Sequence, residues 1–207
     1  MKGRLVTFEG CEGSGKSTQL RLLSEKLSKQ GISHIVTREP GGSDIAEQIR
    51  NIILNGKNTA MCDECEALLY AAARAQHLRE IVQPALDKGM LVLCDRYVDS
   101  SLAYQGYARG LDLKFIEDIN GFAMRDFRPD LTLFLDISPR AAFERKHGAD
   151  KGDRMEQLGL EFHEKVYAGY LRIAALNPER FLKVECGGSK WDTAERIYNI
   201  LKSHKII

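Results

Sequence analysis

Five short, almost continuously apolar runs are the feature that most constrains the fold of this chain of 207 residues. Strands that are apolar along their whole length suit a parallel sheet that is buried on both faces. Longer segments of helical period separate the runs. We therefore expect an α/β fold, a three-layer α/β/α sandwich around a five-stranded parallel sheet, as one domain over residues 1–207. The runs cover residues 4–9, 33–39, 90–95, 131–136 and 181–185.

Helix signals fill the intervals between these strands. Apolar residues recur at helical spacing, and serines stand where N-caps are needed. The third helical segment contains Pro84, near which we expect a bend. The helices are predicted over residues 16–30, 44–54 and 63–87, after Ser138 and after Ser189.

Composition excludes several classes of function. With 43% hydrophobic and 29% charged residues, the chain has the composition of a soluble globular protein. The net charge of +1 favours neither nucleic acid nor a membrane surface as a partner, so any anion binding must be local. The apolar run at the amino terminus soon meets Glu9 and Gly10, which argues against a signal peptide or membrane span and predicts a cytoplasmic protein.

Five cysteines form an odd set in a chain without a recognisable secretion signal, which predicts reduced thiols. Cys62 and Cys65 have CxxC spacing, but no second pair or histidine cluster completes a zinc site. We interpret them as structural thiols at the start of a helix.

The stretch FEGCEGSGKST, residues 8–18, matches the phosphate-binding pattern GxxxxGK[ST] between a predicted strand and helix. Backbone N–H groups of such a loop surround phosphates, Lys16 reaches the β and γ oxygens, and Ser17 holds Mg²⁺. A nucleoside triphosphate site is therefore predicted at Gly10, Cys11, Glu12, Gly13, Ser14, Gly15, Lys16, Ser17 and Thr18.

Two further strand ends carry arginines. Asp95 closes the third strand, where a carboxylate can hold Mg²⁺, and Arg96 offers a guanidinium fork for a second phosphate. Arg38 ends the second strand before Pro40 and two glycines, which predict a rigid turn close to a ligand. Two arginines beside the phosphate loop indicate a phosphorylated acceptor rather than water, which favours a kinase over a hydrolase.

Four carboxylates also stand at the ends of strands. Ligands of open α/β sheets bind at the carboxyl ends of the strands, so we expect all four to face the site. They are Glu9, Glu39, Asp95 and Asp136.

An aromatic side chain and a guanidinium share one face of the third helix. Tyr70 and Arg74 are four residues apart, so a nucleobase could stack on the ring and accept hydrogen bonds from the guanidinium. Further on, residues 144–157 form a basic, glycine-containing segment. We predict that this segment, at about 145–155, is a lid that excludes water and supplies an arginine to the transferring phosphoryl group.

Taken together, the segments TREPGG, ALLYAAARAQH, DRYVDSSLAYQG, FRPDLTLFLD and DRMEQ resemble the thymidylate kinase family. The likeness covers most of the chain. It implies phosphorylation of dTMP to dTDP with ATP and Mg²⁺, a phosphate-loop kinase fold and a homodimer.

By the same resemblance, Arg38 and Arg96 hold the dTMP phosphate, and Tyr104 lies against the deoxyribose, where its bulk disfavours a 2′-hydroxyl. Arg74 meets the thymine carbonyl and Ser101 the ring N–H. The full acceptor set that the resemblance implies is Glu12, Arg38, Pro40, Tyr70, Arg74, Arg96, Ser101, Tyr104 and Gln105.

On the donor side, the resemblance places Arg145 near adenine and brings Arg154 to the phosphates. Gly13 stands where some relatives have an arginine in the phosphate loop, so the catalytic arginine is expected from the lid. The expected catalytic residues are Lys16, Arg96 and Arg154, with Ser17 and Asp95 for the metal. Tyr70 departs from the phenylalanine common in the family, but it keeps the stacking face.

Two alternatives stay open at the level of sequence. A deoxynucleoside kinase would need a base for a neutral 5′-hydroxyl, for which Glu9 or Glu39 would serve. A switch or motor ATPase would bind a macromolecule but would leave the pairing of Tyr70 with Arg74 unexplained. A dTMP kinase needs no such base, because a phosphate monoester, with its second pKa at about 6, is already largely ionised at neutral pH.

Overall fold

The computed structural model describes residues 2–145, 153–155 and 157–207. Its five strands form one sheet in the order β2-β3-β1-β4-β5, with every pairing parallel. The central position of β1 puts the phosphate loop that follows it in the middle of the carboxyl edge of the sheet. The strands are β1 Arg4–Glu9, β2 His34–Arg38, β3 Leu91–Asp95, β4 Leu131–Asp136 and β5 Phe181–Glu185. The predicted parallel α/β sandwich is therefore confirmed.

Nine α-helices lie within the part of the chain that the structure describes. Two π-helical turns, Leu78–Val82 and Leu102–Ala108, extend α3 and α5. The helices are α1 Lys16–Lys29, α2 Asp44–Leu54, α3 Asp63–His77, α4 Gln83–Asp87, α5 Val98–Ser101, α6 Leu113–Met124, α7 Pro139–Arg145, α8 Leu160–Leu176 and α9 Lys190–Ser203.

The sheet separates two layers of helices. Val6 and Phe8 of β1 point to the layer that contains α1 and α9, where they pack in one apolar cluster with Leu23 and Ile197. Leu5 belongs to a second cluster on the other side, formed with α4 and the turn before it. Because side chains alternate along a strand, Thr7 and Glu9 share the face of Leu5, which puts the carboxylate of Glu9 in the opposite layer from α1.

The helix ends follow the expected chemistry, and the long third segment is irregular just before Pro84. Ser189 forms a capping box with Asp192, and the Ser138 hydroxyl accepts from the Ala141 N–H at 3.4 Å. In the third segment the irregularity is a π-helical turn over Leu78–Val82, upstream of Pro84. Pro84 occupies the first turn of the following α4, where a missing N–H has little cost.

Candidate active site

A cavity of about 450 Å³ opens at the carboxyl edge of the sheet. The phosphate loop borders one end, and α3 with the turn after α5 borders the other. Residues predicted from distant parts of the sequence meet there: Glu12, Gly13, Gly15, Lys16, Ser17, Thr18, Arg38, Pro40, Tyr70, Arg74, Asp95, Arg96, Ser101, Tyr104 and Gln105. Gly10, Cys11, Ser14 and Arg154 are not among its lining residues.

The phosphate loop has the strained backbone that its glycines permit. Gly13 and Gly15 have φ values of 75° and 94°, a region that other residues rarely adopt. The Lys16 ammonium donates to the carbonyls of Gly10 and Cys11 at 3.1 and 3.2 Å. Burial lowers the pKa of Lys16, and the nearby Arg96 lowers it further. The negative charge of a bound polyphosphate would raise the pKa of Lys16 and so stabilise its ammonium form.

Cys11 turns inward beneath the loop and is fully buried. Burial raises the pKa of its thiol to about 11, so the group is a thiol at neutral pH. This is the environment of a packing residue. Cys62 and Cys65 are exposed at the start of α3, and the residues that the structure describes contain no cluster of three or more histidine, cysteine or acidic side chains suited to a metal ion.

Ser17 and Asp95 meet at the end of β3 as predicted for a metal site. The Ser17 hydroxyl donates to Asp95 Oδ2 at 3.2 Å. A hydroxyl and a carboxylate are both oxygen ligands of the kind that Mg²⁺ prefers beside substrate phosphates. These two groups therefore have the right chemistry and position to hold Mg²⁺ directly or through water.

Arg96 stands between the loop and the inner end of the cavity. Its φ of 67° is unusual for a residue other than glycine, and it turns the side chain back over the site. The guanidinium donates to Glu12, to Ser100 Oγ at 3.3 Å and to Tyr170 OH at 3.2 Å. Glu12 thus contacts Arg96 across the site.

Arg74 is buried at the far end of the cavity. It donates through Nε to Glu39 at 2.7 Å and through Nη1 to Ser101 at 3.2 Å and to Asn120. Glu39 in turn lies 3.0 Å from Nδ1 of the buried His77. This network fixes the direction of the guanidinium before any ligand arrives.

Aromatic side chains complete the walls of this end. Tyr70 and Tyr104 both line the cavity, and the Arg96 guanidinium lies 5.2 Å from the centre of the Tyr104 ring. Burial raises the pKa of both hydroxyls above their ordinary value, so both are protonated at neutral pH. The Tyr104 hydroxyl is buried without a hydrogen-bond partner among the described residues, so it is available to a polar group of a bound ligand.

Arg38 is the most exposed of the predicted phosphate ligands. Its guanidinium pairs with both oxygens of Glu47 at 2.8 and 2.9 Å. Arg50 also lines the cavity and donates to the Pro40 carbonyl at 2.8 Å, yet it belongs to no motif that would single it out. Only the fold brings α2 beside the turn after β2.

Arg154 does not line the cavity in this structure. Its guanidinium pairs with the buried Glu66 and donates to the Ile53 carbonyl. Most of the predicted lid falls on residues 146–152, outside the described residues. The phosphate contact of Arg154 and the adenine contact of Arg145 stay predictions.

Of the four carboxylates at strand ends, only Glu39 and Asp95 line the cavity, so the expectation for the other two is wrong. Glu9 is fully buried, where it accepts from the Tyr97 N–H at 2.8 Å and the Ser100 hydroxyl at 2.6 Å. Asp136 accepts from the Tyr167 hydroxyl at 2.7 Å. Packing against α5 and α8 therefore holds these two groups away from the cavity.

Comparisons with known proteins agree on one family. The model of the thymidylate kinase family matches residues 8–197. The thymidylate kinase of Bacillus pumilus is 48% identical over 98% of this chain and 96% of its own, and that of Bacillus velezensis is 50% identical over 92% and 91%. The crystal structure of thymidylate kinase from Ehrlichia chaffeensis superposes with a TM-score of 0.80 at 31% identity, over 98% of this chain and 99% of its own. The chain belongs to the thymidylate kinase family.

Proposed function

We propose that the chain transfers the γ-phosphoryl group of ATP to dTMP, with Mg²⁺, and so forms dTDP. The observation that carries this proposal is the shared cavity, which joins a phosphate loop at one end to a buried arginine and a tyrosine at the other. Arg96 lies between them. A nucleotide whose base meets Arg74 would thus present its phosphate toward Lys16.

The acceptor needs no general base, since its phosphate is already largely ionised at neutral pH. The task of the site is to bring two polyanions together and to neutralise their charge. Lys16 and Arg96 supply positive charge from two sides of the loop. Mg²⁺, held by Ser17 and Asp95, would neutralise and orient the donor phosphates.

Each part of dTMP has a proposed partner in the cavity. Arg38 and Arg96 bind the phosphate, and Glu12 binds the 3′-hydroxyl or the water around Mg²⁺. Tyr104 excludes a 2′-hydroxyl. The thymine base stacks on Tyr70, and its partners and neighbours are Pro40, Arg74, Ser101 and Gln105.

The environments of Glu9 and Glu39 argue against a deoxynucleoside kinase. Glu9 is buried outside the cavity, and both oxygens of Glu39 are bonded to Arg74 and His77. Neither carboxylate is placed to take a proton from a 5′-hydroxyl. The switch or motor alternative gains no support either, because it gives no reason for a base-sized pocket beside the loop.

A panel of acceptors with ATP and Mg²⁺ tests the proposal. We expect diphosphate product from dTMP, less from dUMP and none from thymidine. One methyl group contributes only about 1 to 3 kcal/mol, so the preference over dUMP should lie between about 10-fold and 200-fold in kcat/KM. Turnover of thymidine without turnover of dTMP would contradict the proposal. Equal kcat/KM for dTMP and dUMP would contradict only the methyl pocket beside Pro40 and Tyr70.

We propose a single domain with a lid at about 145–155, a homodimer and a cytoplasmic location. Among the residues described, no helix is both long enough and apolar enough to cross a membrane.

A further inference from the structure

Glu66, in the first turn of α3, is fully buried next to the base end of the cavity. Its carboxylate accepts hydrogen bonds from Gln105 Nε2 at 2.8 Å, from Arg109 Nη2 at 2.9 Å and from Arg154 Nη2. The three donors lie 39 to 88 residues away in the chain. A buried carboxylate is tolerated only when it is paired and hydrogen-bonded, so this cluster is built around Glu66.

Arg154 is held from a second direction as well. Its Nε donates to the Ile53 carbonyl at 2.8 Å, and its backbone N–H donates to the Leu54 carbonyl at 3.1 Å. Both carbonyls belong to the last turn of α2, where such groups lack partners within the helix. The residues on either side of Arg154, Asp153 and Met155, line the cavity.

Gln105 also lines the cavity. Because its Nε2 is bonded to Glu66, the carboxamide is held in one orientation at the base end. One buried carboxylate thus fixes two pieces of the wall that are far apart in sequence.

We propose that Glu66 is a positioning residue for the acceptor nucleotide. It orients Gln105 and, through Arg154, holds the segment Asp153–Met155 against the base end of the cavity. The proposal rests on the proposed function. It also assigns Arg154 a positioning role at the acceptor end, through Glu66, which is distinct from the phosphate contact expected from the sequence.

Steady-state kinetics of Glu66→Gln and Arg154→Met test the assignment. Glu66→Gln keeps the shape but removes the charge and turns an NH₂ group toward the donors. We expect each variant to raise the KM for dTMP at least about 10-fold and to change the KM for ATP less than about 2-fold. The KM for dTMP of the double variant should be no higher than that of the single variant with the higher KM, because both changes break the same contact.

Arg109→Gln is the matched control. Arg109 donates to the same carboxylate, but unlike Arg154 it has no neighbour in sequence that lines the cavity. The control should change the KM for dTMP by less than about 2-fold. A loss of kcat in Arg154→Met with an unchanged KM for dTMP would overturn the proposal, since Arg154 would then act at the phosphoryl group. Additive increases in the KM for dTMP in the double variant would also overturn it, since the two residues would then act independently.

Hydrogen exchange gives a readout that does not depend on the reaction. In Glu66→Gln the amide of Arg154 should exchange at least about 10-fold faster than in the wild type, whereas in Arg109→Gln it should not. Unchanged exchange in Glu66→Gln would overturn the anchoring role even if the kinetics changed. If the wild type failed to phosphorylate dTMP, the proposed function would fall, while the exchange experiment would still decide whether Glu66 anchors this segment. Arg154→Met serves the same test if Glu66→Gln does not fold.

Discussion

A single residue, Glu12, shows why an acidic side chain can belong in a phosphate loop. A carboxylate beside a phosphate would be repelled, yet Glu12 lies against the Arg96 guanidinium. The pair limits the positive charge of the site while no anion is bound. The sequence places Glu12 in the phosphate loop, and the family resemblance adds it to the acceptor set, but its partner 84 residues away follows only from the fold.

Arg74 allows a sharp test at the residue scale. Arg74→Met should lower kcat/KM for dTMP at least about 100-fold and leave the KM for ATP within about 3-fold, because Arg74 lies far from the phosphate loop. It should also reduce the free energy of unfolding by about 3 to 5 kcal/mol, since Glu39 would keep a buried charge without its main partner. Steady-state kinetics and urea unfolding measure the two effects.

The double variant Glu39→Gln/Arg74→Met separates these effects. Removing both charges should restore part of the stability, because no buried ion is left unpaired. It should not restore the use of dTMP. Equal losses for both substrates in Arg74→Met would contradict the place of Arg74 at the base.

At the scale of elements, the sequence predicted what depends on local patterns. The bounds of β1, β4 and β5 agree with the apolar runs. β1 and β4 are buried along almost their whole length, which leaves a continuous apolar signal, whereas the edge strand β5 is only partly buried. The π-helical turns carry no such signal. The contacts of Arg50 with the turn after β2 and of Glu66 with Arg154 were also missed, because they join elements that are adjacent only after folding.

Glu9, where β1 meets α5 and α8, should make the free energy of unfolding depend on pH. Glu9 accepts from Tyr97, Ser100 and Tyr170, which belong to these helices or border them. Burial, with a smaller contribution from Asp99, raises the pKa of Glu9 from 4.5 to about 7. Between these two values the native state holds a proton that the unfolded chain releases. The contribution to stability is therefore complete below about pH 4.5 and is lost as the pH rises through about 7.

Urea unfolding of the wild type and of Glu9→Gln from pH 4 to pH 8 measures this effect. The shift corresponds to about 3 kcal/mol, so the wild type should lose about that much relative to the variant across the range. Glu25→Gln, at an exposed position on α1, should follow the wild type. Parallel curves for the wild type and Glu9→Gln would show that Glu9 has an ordinary pKa.

At the scale of the whole molecule, three neighbouring helices expose large apolar side chains. α3 packs between α2 and α6, and the three carry Ile52, Leu68 and Phe122, which are 48%, 50% and 82% exposed. Where such residues form one continuous patch, the patch is typical of a surface that another protein covers. One of these helices, α3, also borders the base end of the cavity. The helical periodicity of each segment alone does not predict that the three helices are neighbours.

We predict that this surface joins two copies of the chain. Sedimentation velocity at micromolar concentration should show a dimer for the wild type and a monomer for Phe122→Glu or Leu68→Glu, because a charge buried in an apolar interface lacks a partner. Leu176→Glu is the matched control, since Leu176 is 75% exposed on α8 and outside this surface. It should sediment as the wild type does. A monomeric wild type, or a dimer that persists in both Phe122→Glu and Leu68→Glu, would exclude these helices as the interface. Because α3 also carries Glu66, Tyr70 and Arg74, a monomeric variant should show a raised KM for dTMP if the partner stabilises this helix.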